Sequence, residues 1–507
     1  MATYGNLFEL LAERFPGDRS RTALETASGR TYSYDALETW SGRFAAHLAA
    51  LGVSPGERVL VMVDKSVEAV MLYLACLRAG FVYLPVNPAY QAGEVGYFIA
   101  DAAPAAVVCR PEAYAMMREL APKISVETLD ARGGGSLVER SRALGDEFSP
   151  TAPGGDEPAA ILYTSGTTGR PKGAVLSHAN LASNALVLSR LWGFSESDVL
   201  LHALPIFHVH GLFVACHCAL LSGARMLFLP RFEAAAVVRA LARATVFMGV
   251  PTYYARLLAS AELSREASAG MRLFISGSAP LSEEAFRRFA ERTGHEILER
   301  YGMTETGMLT SNPLAGPRMP GSVGVALPGV RVRVADEADR PVAPGLVGQV
   351  QASGENVFRG YWKRPEADAE AFTDDGFVRT GDLGRLDERG YLWLAGRARE
   401  LIITGGLNVY PKEVELAIDR IEGVAESAVF GLPDPDFGEA VTAAVVRGAD
   451  ARTLCAEKIL ARLKGELANY KLPKRIVFVD ELPRNAMGKV QKHLLAQRCT
   501  AAGSAAY

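Results

Sequence analysis

The sequence predicts an α/β protein: a large N-terminal domain of parallel sheets with helices plus a small β subdomain, followed by a small mobile α+β C-terminal domain. Three observations predict it. From Tyr32 to about residue 310, helical patterns alternate with short β-rich runs, as parallel sheets covered by helices require. After Pro328 the pattern changes to short alternating strands separated by Pro and Gly, and from Leu401 to a compact α+β unit. At 507 residues the chain also exceeds one ordinary core.

Taken in order, Met1 to Phe15 lacks a basic start and an uninterrupted apolar core, so it reads as an amphipathic helix and not an export signal. Arg58 to Val63, Ala106 to Cys109, Arg225 to Leu229 and Arg272 to Ile275 read as strands. The apolar stretch Ala69 to Val86 is cut by Arg78 and Gly80, which suits a buried helix followed by a strand better than a membrane span. Turn residues mark Ala131 to Ser136 and Ser149 to Gly155 as loops, the second leading into the strand Ala159 to Leu162. Gly133-Gly134-Gly135-Ser136-Leu137 is similar to a carrier-domain attachment site, but it lies inside the α/β pattern and is read as a loop. Val330 to Val334 and Gly348 to Ala352 place the β subdomain at about 328–396. The last unit, 401–507, contains a helix from Pro411 to Ile421, a strand Ser427 to Phe430 and a basic end Lys471 to Arg475, enough for an independent lid.

Composition narrows the function. A formal charge of −3 gives no electrostatic footprint for nucleic acid or an anionic membrane. Cysteines scattered at 76, 109, 216, 218, 455 and 499 fit a reducing compartment, so the expected location is cytoplasmic. His208, His210, Cys216, His217 and Cys218 flank an apolar run and read as buried packing, because their spacing does not suit zinc.

The strongest local signal is Thr164-Ser165-Gly166-Thr167-Thr168-Gly169-Arg170-Pro171-Lys172-Gly173, entered from the strand Ala159 to Leu162. Its glycines allow backbone N–H groups close to phosphate oxygens, its hydroxyls add donors and Lys172 adds charge. It is not a P-loop: Lys172 is followed by Gly173 and preceded by Pro171.

With this loop the chain resembles the acyl-adenylate-forming superfamily. Four further segments carry the resemblance in order: Tyr301-Gly302-Met303-Thr304-Glu305-Thr306, Thr380-Gly381-Asp382, Gly396-Arg397 and Pro483-Arg484-Asn485-Ala486-Met487-Gly488-Lys489-Val490. The resemblance implies ATP, Mg2+ and coenzyme A as cofactors and an N-terminal adenylation domain 1–396, a hinge 397–400 and a C-terminal lid 401–507. It implies nucleotide contacts from Thr164 to Gly169, Lys172, Ser278, Ala279, Pro280, Glu299, Arg300, Tyr301, Gly302, Met303, Thr304, Asp382 and Arg397. Lys489, Glu305 and Thr164 are then catalytic, with Thr164 and Glu305 holding the metal. Asp382 is expected in a turn, accepting the ribose hydroxyls. The glycines of Thr404-Gly405-Gly406-Leu407-Asn408 leave room for a pantetheine arm when the lid rotates for the thiol step. Arg399 and Glu400 stand where the family usually has Lys-Asp, which puts the pivot in question. The family also makes Lys489 a residue that a lysine acyltransferase could modify.

Attack of a carboxylate on the α-phosphorus of ATP brings two anions together, so positive charge must be placed where negative charge develops. Glu305 suits a magnesium ligand and Lys489 a lid-borne cation. For the acid, Pro205-Ile206-Phe207-His208-Val209-His210-Gly211 offers no carboxylate to an amino-acid ammonium. Arg287, on a helix expected from Glu283 to Glu291, could clamp a second carboxylate, with His208, His210 and Met308 nearby. The pattern most resembles the malonyl-CoA synthetase branch, so malonate is the expected acid. Methylmalonate or a short monocarboxylic acid, a carrier-protein-loading adenylation enzyme and a non-catalytic nucleotide-binding protein are the alternatives.

Overall fold

The computed structural model describes residues 5–164, 171–405, 407–434, 437–448, 451, 453–485 and 488–502. Among these residues the chain forms four sheets. A nine-stranded sheet is parallel from Thr22–Thr26 through Arg225–Phe228, Val199–His202, Val246–Gly249 and Leu273–Ser276 to Ile297–Met303. Its edges, Gly307–Ser311 with Val325–Ala326 and Thr31–Ser33, are antiparallel. A seven-stranded sheet carries parallel strands Arg58–Met62, Val82–Pro85, Ala106–Cys109, Ser125–Thr128 and Pro158–Thr164, with Lys172–Ser177 returning antiparallel.

Between these two sheets lies the main core. The helix Val67–Ala79 is buried along its whole length, which its almost unbroken apolar sequence allows, and Ser66 caps it through the Ala69 N–H. This is the buried helix expected between residues 69 and 86, followed by the strand Val82–Pro85. A less expected element is His210–Cys216, a π-helical stretch running directly into the α-helix His217–Leu221; Cys216, His217 and Cys218 are buried in it.

The four-stranded antiparallel sheet Arg331–Ala335, Gly348–Ser353, Val378–Leu386 and Leu392–Arg397 is the β subdomain. The fourth sheet lies wholly beyond it. Ile402–Thr404, Leu407–Val409, Gly438–Arg447, Val424–Asp434 and Arg475–Val479 pack with the helices Pro411–Asp419, Ala456–Leu463 and Lys492–Ala502 around cores of their own. The fold is thus a large N-terminal α/β domain followed by a small α+β domain. One local expectation changes: Gly381 and Asp382 lie within the strand Val378–Leu386, Gly381 at φ +72°, and not in a turn. The strand keeps its ladder because glycine accepts that left-handed backbone without a Cβ penalty.

Candidate active site

Each sheet of the large domain contributes to one place. Thr164 ends the strand Pro158–Thr164 and pairs in register with Lys172 across the intervening loop. Residues 165–170, which include Ser165, Gly166, Thr167, Thr168 and Gly169, lie outside the described residues, as does Gly406. The Thr164 hydroxyl donates to Glu305 Oε1 at 3.1 Å, and the Tyr361 hydroxyl donates to the same oxygen at 3.1 Å. Lys172 Nζ stands 5.4 Å from the centre of the Tyr361 ring. Glu305 sits in the turn from Ile297–Met303 to Gly307–Ser311, 5% exposed; burial pushes its carboxyl up and the two hydroxyls pull it back. Carboxylate and hydroxyl oxygens are hard donors of the kind magnesium takes, so the residues present fit that ion.

On the same strand, the Tyr301 hydroxyl donates to Asp382 Oδ2 at 2.5 Å. Asp382 stands opposite Arg397 across the strand pair, its Oδ1 2.9 Å from the guanidinium Nε, and Arg397 also donates to the Thr380 carbonyl at 3.1 Å. Thr380 fixes Asp382 in turn, accepting its backbone N–H at 3.1 Å.

Lys489 comes from the small domain. Asn485 accepts the Lys489 N–H at 3.0 Å and donates its own N–H to the Lys489 carbonyl at 2.9 Å, making a tight loop. A Cβ on Gly488 would lie 2.7 Å from the Thr252 hydroxyl, so glycine there lets the loop seat against the helix Pro251–Ala259 of the large domain. Lys489 is partly buried, and its ammonium is lowered to about 8, by burial first and then by Arg397, with Asp382 and Glu400 opposing. Gly405 is exposed in the hairpin between Ile402–Thr404 and Leu407–Val409, next to exposed Ile403 and Leu407.

The other face of strand Ile297–Met303 holds a different chemistry. Side chains alternate along a strand, so Arg300 points away from Glu299 and Tyr301. Arg300 is 3% exposed, its Nε and Nη2 have no hydrogen-bond partner, and burial lowers it to about 9. His210 is 3% exposed and its Nε2 is likewise unpartnered, while its Nδ1 is 3.2 Å from the hydroxyl of Ser278, which adopts φ +72°. Burial holds His210 well below the ordinary imidazole range, and Arg300, His202 and His208 push it further. Burial holds His208 down at about 4. Among the described residues no carboxylate acts on His202, His208, His210 or Arg300. Arg300 is thus a buried cation with no carboxylate beside it, set among imidazoles that burial keeps neutral.

Glycine makes room for it. A Cβ on Gly277 would overlap the guanidinium of Arg300. Gly277→Ala is therefore expected to displace the Arg300 guanidinium, which a crystal structure of the variant would check.

Other expected residues fall elsewhere. Arg287 is exposed on the helix Glu283–Thr293 with no polar partner among the described residues; it lies one turn beyond Glu283, whose carboxylate is 3.8 Å from Arg420 of the small domain. Phe286 and Phe289 take the inward face of that helix. The expected clamp is thus not drawn into the buried cluster. Met308 is buried in the main core, and its backbone is held by the Asn184 amide at 3.0 Å and 2.9 Å. Ala279 is partly exposed and Pro280 exposed beside Ser278; Gly302 and Met303 end the strand Ile297–Met303, and Thr304 opens the turn that holds Glu305. Glu299 is buried, its carboxyl pushed up to about 8 by burial and drawn back by the Gly321 and Leu281 N–H groups. Tyr361, Lys65 and His202 were not signalled by any motif.

The fold and this constellation define an ATP-binding, adenylate-forming enzyme. Residues 8–362 match the family described as AMP-binding enzyme, and residues 413–489 match the AMP-binding enzyme C-terminal domain. The chain belongs to the AMP-binding enzyme family. It is 38% identical to the sulfoacetate–CoA ligase of Cupriavidus necator, covering 92% of this chain and 93% of that one, and 33% identical to the malonate–CoA ligase of Arabidopsis thaliana, covering 96% and 88%. The crystal structure of ATP-bound MatB from Rhodopseudomonas palustris is 52% identical with a TM-score of 0.95, covering 97% of this chain and 98% of that one. The apo form of the same protein, again 52% identical over 97% and 98%, gives 0.86, so the arrangement seen here is closer to the ATP-bound one.

Proposed function

We propose that the protein is an ATP-dependent CoA ligase for a short acid carrying a second negative charge, with malonate the foremost candidate. The observation that carries this reading is the buried guanidinium of Arg300, whose Nε and Nη2 have no hydrogen-bond partner, beside His210. A distal carboxylate would supply the counter-charge this cluster lacks, whereas a monocarboxylic acid would leave it unmatched. The sulfoacetate and malonate ligases among its relatives support the same chemistry, since each named acid carries an anion at its far end.

In the first step the acid carboxylate attacks the α-phosphorus of ATP, forming acyl-AMP and releasing pyrophosphate. Tyr301 packs against the base, Asp382 accepts from the ribose and Arg397 holds Asp382. Lys489 faces the developing negative charge from the small domain. Glu305 and Thr164 would hold Mg2+, which when bound offsets charge on the phosphates. In the second step the small domain turns about 397–400, Lys489 leaves, and the hairpin at Gly405 admits the CoA thiol, whose sulfur attacks the acyl carbon and expels AMP.

The test is CoA-thioester formation across malonate, methylmalonate, sulfoacetate, propionate and octanoate. Malonate is expected to exceed propionate in kcat/KM by about 10- to 150-fold, the worth of a hydrogen bond to a charged group. Equal values for the two would remove the distal-anion reading and keep the ligase. Arg287, exposed near the domain boundary, is expected to matter less than Arg300: Arg287→Ala should lower kcat/KM for malonate by less than about tenfold.

A further inference from the structure

Behind His210 lies a second polar contact that the adenylation chemistry does not use. Lys65 follows the strand Arg58–Met62 of the seven-stranded sheet, and its Nζ donates to His202 Nδ1 at 2.8 Å and to the His202 carbonyl at 2.9 Å. It also stands 4.2 Å from the centre of the Phe228 ring. His202 ends the strand Val199–His202 of the nine-stranded sheet and is 1% exposed. Its Nε2 donates to the Gly211 carbonyl at 2.8 Å. Gly211 adjoins His210 in the π-helical turn, where a Cβ would overlap the Pro205 carbonyl, so the turn is pressed against its neighbours.

The protonation pattern follows from the partners. The Gly211 carbonyl can only accept, so Nε2 of His202 carries the hydrogen; burial keeps the ring neutral, and Nδ1 is the bare nitrogen to which Lys65 Nζ donates. The opposite tautomer would set a bare nitrogen against the Gly211 carbonyl, with only the weak Cys216 thiol, 3.5 Å away, to donate to it. The Lys65 donor therefore matches and supports the tautomer in which His202 grips Gly211.

We propose that Lys65 and His202 are positioning residues for the acid-binding end of the site: reaching from one sheet to the other, they fix the Gly211 turn and so aim His210 toward Arg300. This rests on the reading that the acid binds beside His210 and Arg300. Neither residue touches the nucleotide groups around Asp382 and Glu305, so the contribution falls on the acid alone.

The test uses the full-length enzyme with whichever acid gives the wild type its highest kcat/KM, so that a wrong choice of acid does not obscure it. Lys65→Met keeps length and removes the donor; it is expected to raise the KM for the acid about tenfold, with kcat and the KM for ATP within about twofold. His202→Gln carries an amide N–H whose presence does not depend on tautomer, so the KM for the acid should rise by no more than about threefold, and adding Lys65→Met to it should have a smaller effect than in the wild type. An unchanged KM for the acid in Lys65→Met, a parallel loss in acid and ATP parameters, or the same factor in both backgrounds would overturn the proposal. Loss of the malonate preference in the wild type alone would instead refute the distal-anion reading.

Discussion

Lys489→Ala is expected to slow ATP–pyrophosphate exchange by about 10²- to 10³-fold, the usual effect of removing one preorganised group at a developing charge. Thioester formation from supplied acyl-AMP should stay within about threefold, because in the proposed second step the lysine has left. Equal loss in both half-reactions would contradict the role. The ammonium also sets a pH limb. Burial, and then Arg397, lower it to about 8. Its charged form is the one that meets the phosphates, so kcat/KM for ATP in the free enzyme should fall as pH rises through about 8 and stay flat on the acid side of that point. The alanine variant should lack this limb.

Arg300→Met is the second large effect, and it runs in opposite directions for activity and stability. Activity with malonate should drop about 10- to 150-fold, because a charged hydrogen bond is lost, while propionate should change by less than about threefold. Stability should rise, by about 1–4 kcal/mol, since a buried charge without a partner gives way to an apolar side chain of similar length. Steady-state kinetics and denaturant unfolding would check the pair. A variant that loses malonate activity and stability together would mean that Arg300 is a structural residue with partners outside the described set. Such opposition is characteristic of sites that hold uncompensated charge for a ligand to meet.

The alternation of helices and strands to about residue 310, the β subdomain and the small final unit were legible in the sequence, because periodicity follows burial directly. Glu305, Asp382, Arg397 and Lys489 were legible as motif residues, and their meeting through Thr164, Tyr301 and Thr380 is tertiary geometry that spacing does not carry. Arg300 precedes Tyr301 directly in the chain, yet strand parity separates them, one to each face of Ile297–Met303. Arg287 shows the same limit on a helix: Phe286 and Phe289 take the inward face of Glu283–Thr293, which places Arg287 on the exposed one. Lys65 and His202 had no local signature, since they lie 137 positions apart and meet through the packing of two sheets.

The π-helical turn His210–Cys216 has a consequence for how such a site can diverge. A wide turn accommodates one more residue than an α-turn of the same rise. Loss of a single residue from it would close the stretch to α-helical winding and move His210 and Gly211 relative to the helix His217–Leu221 that follows. The direction in which His210 points is therefore encoded in chain length as much as in side-chain identity, and an insertion or deletion there re-aims it while leaving every motif residue in place.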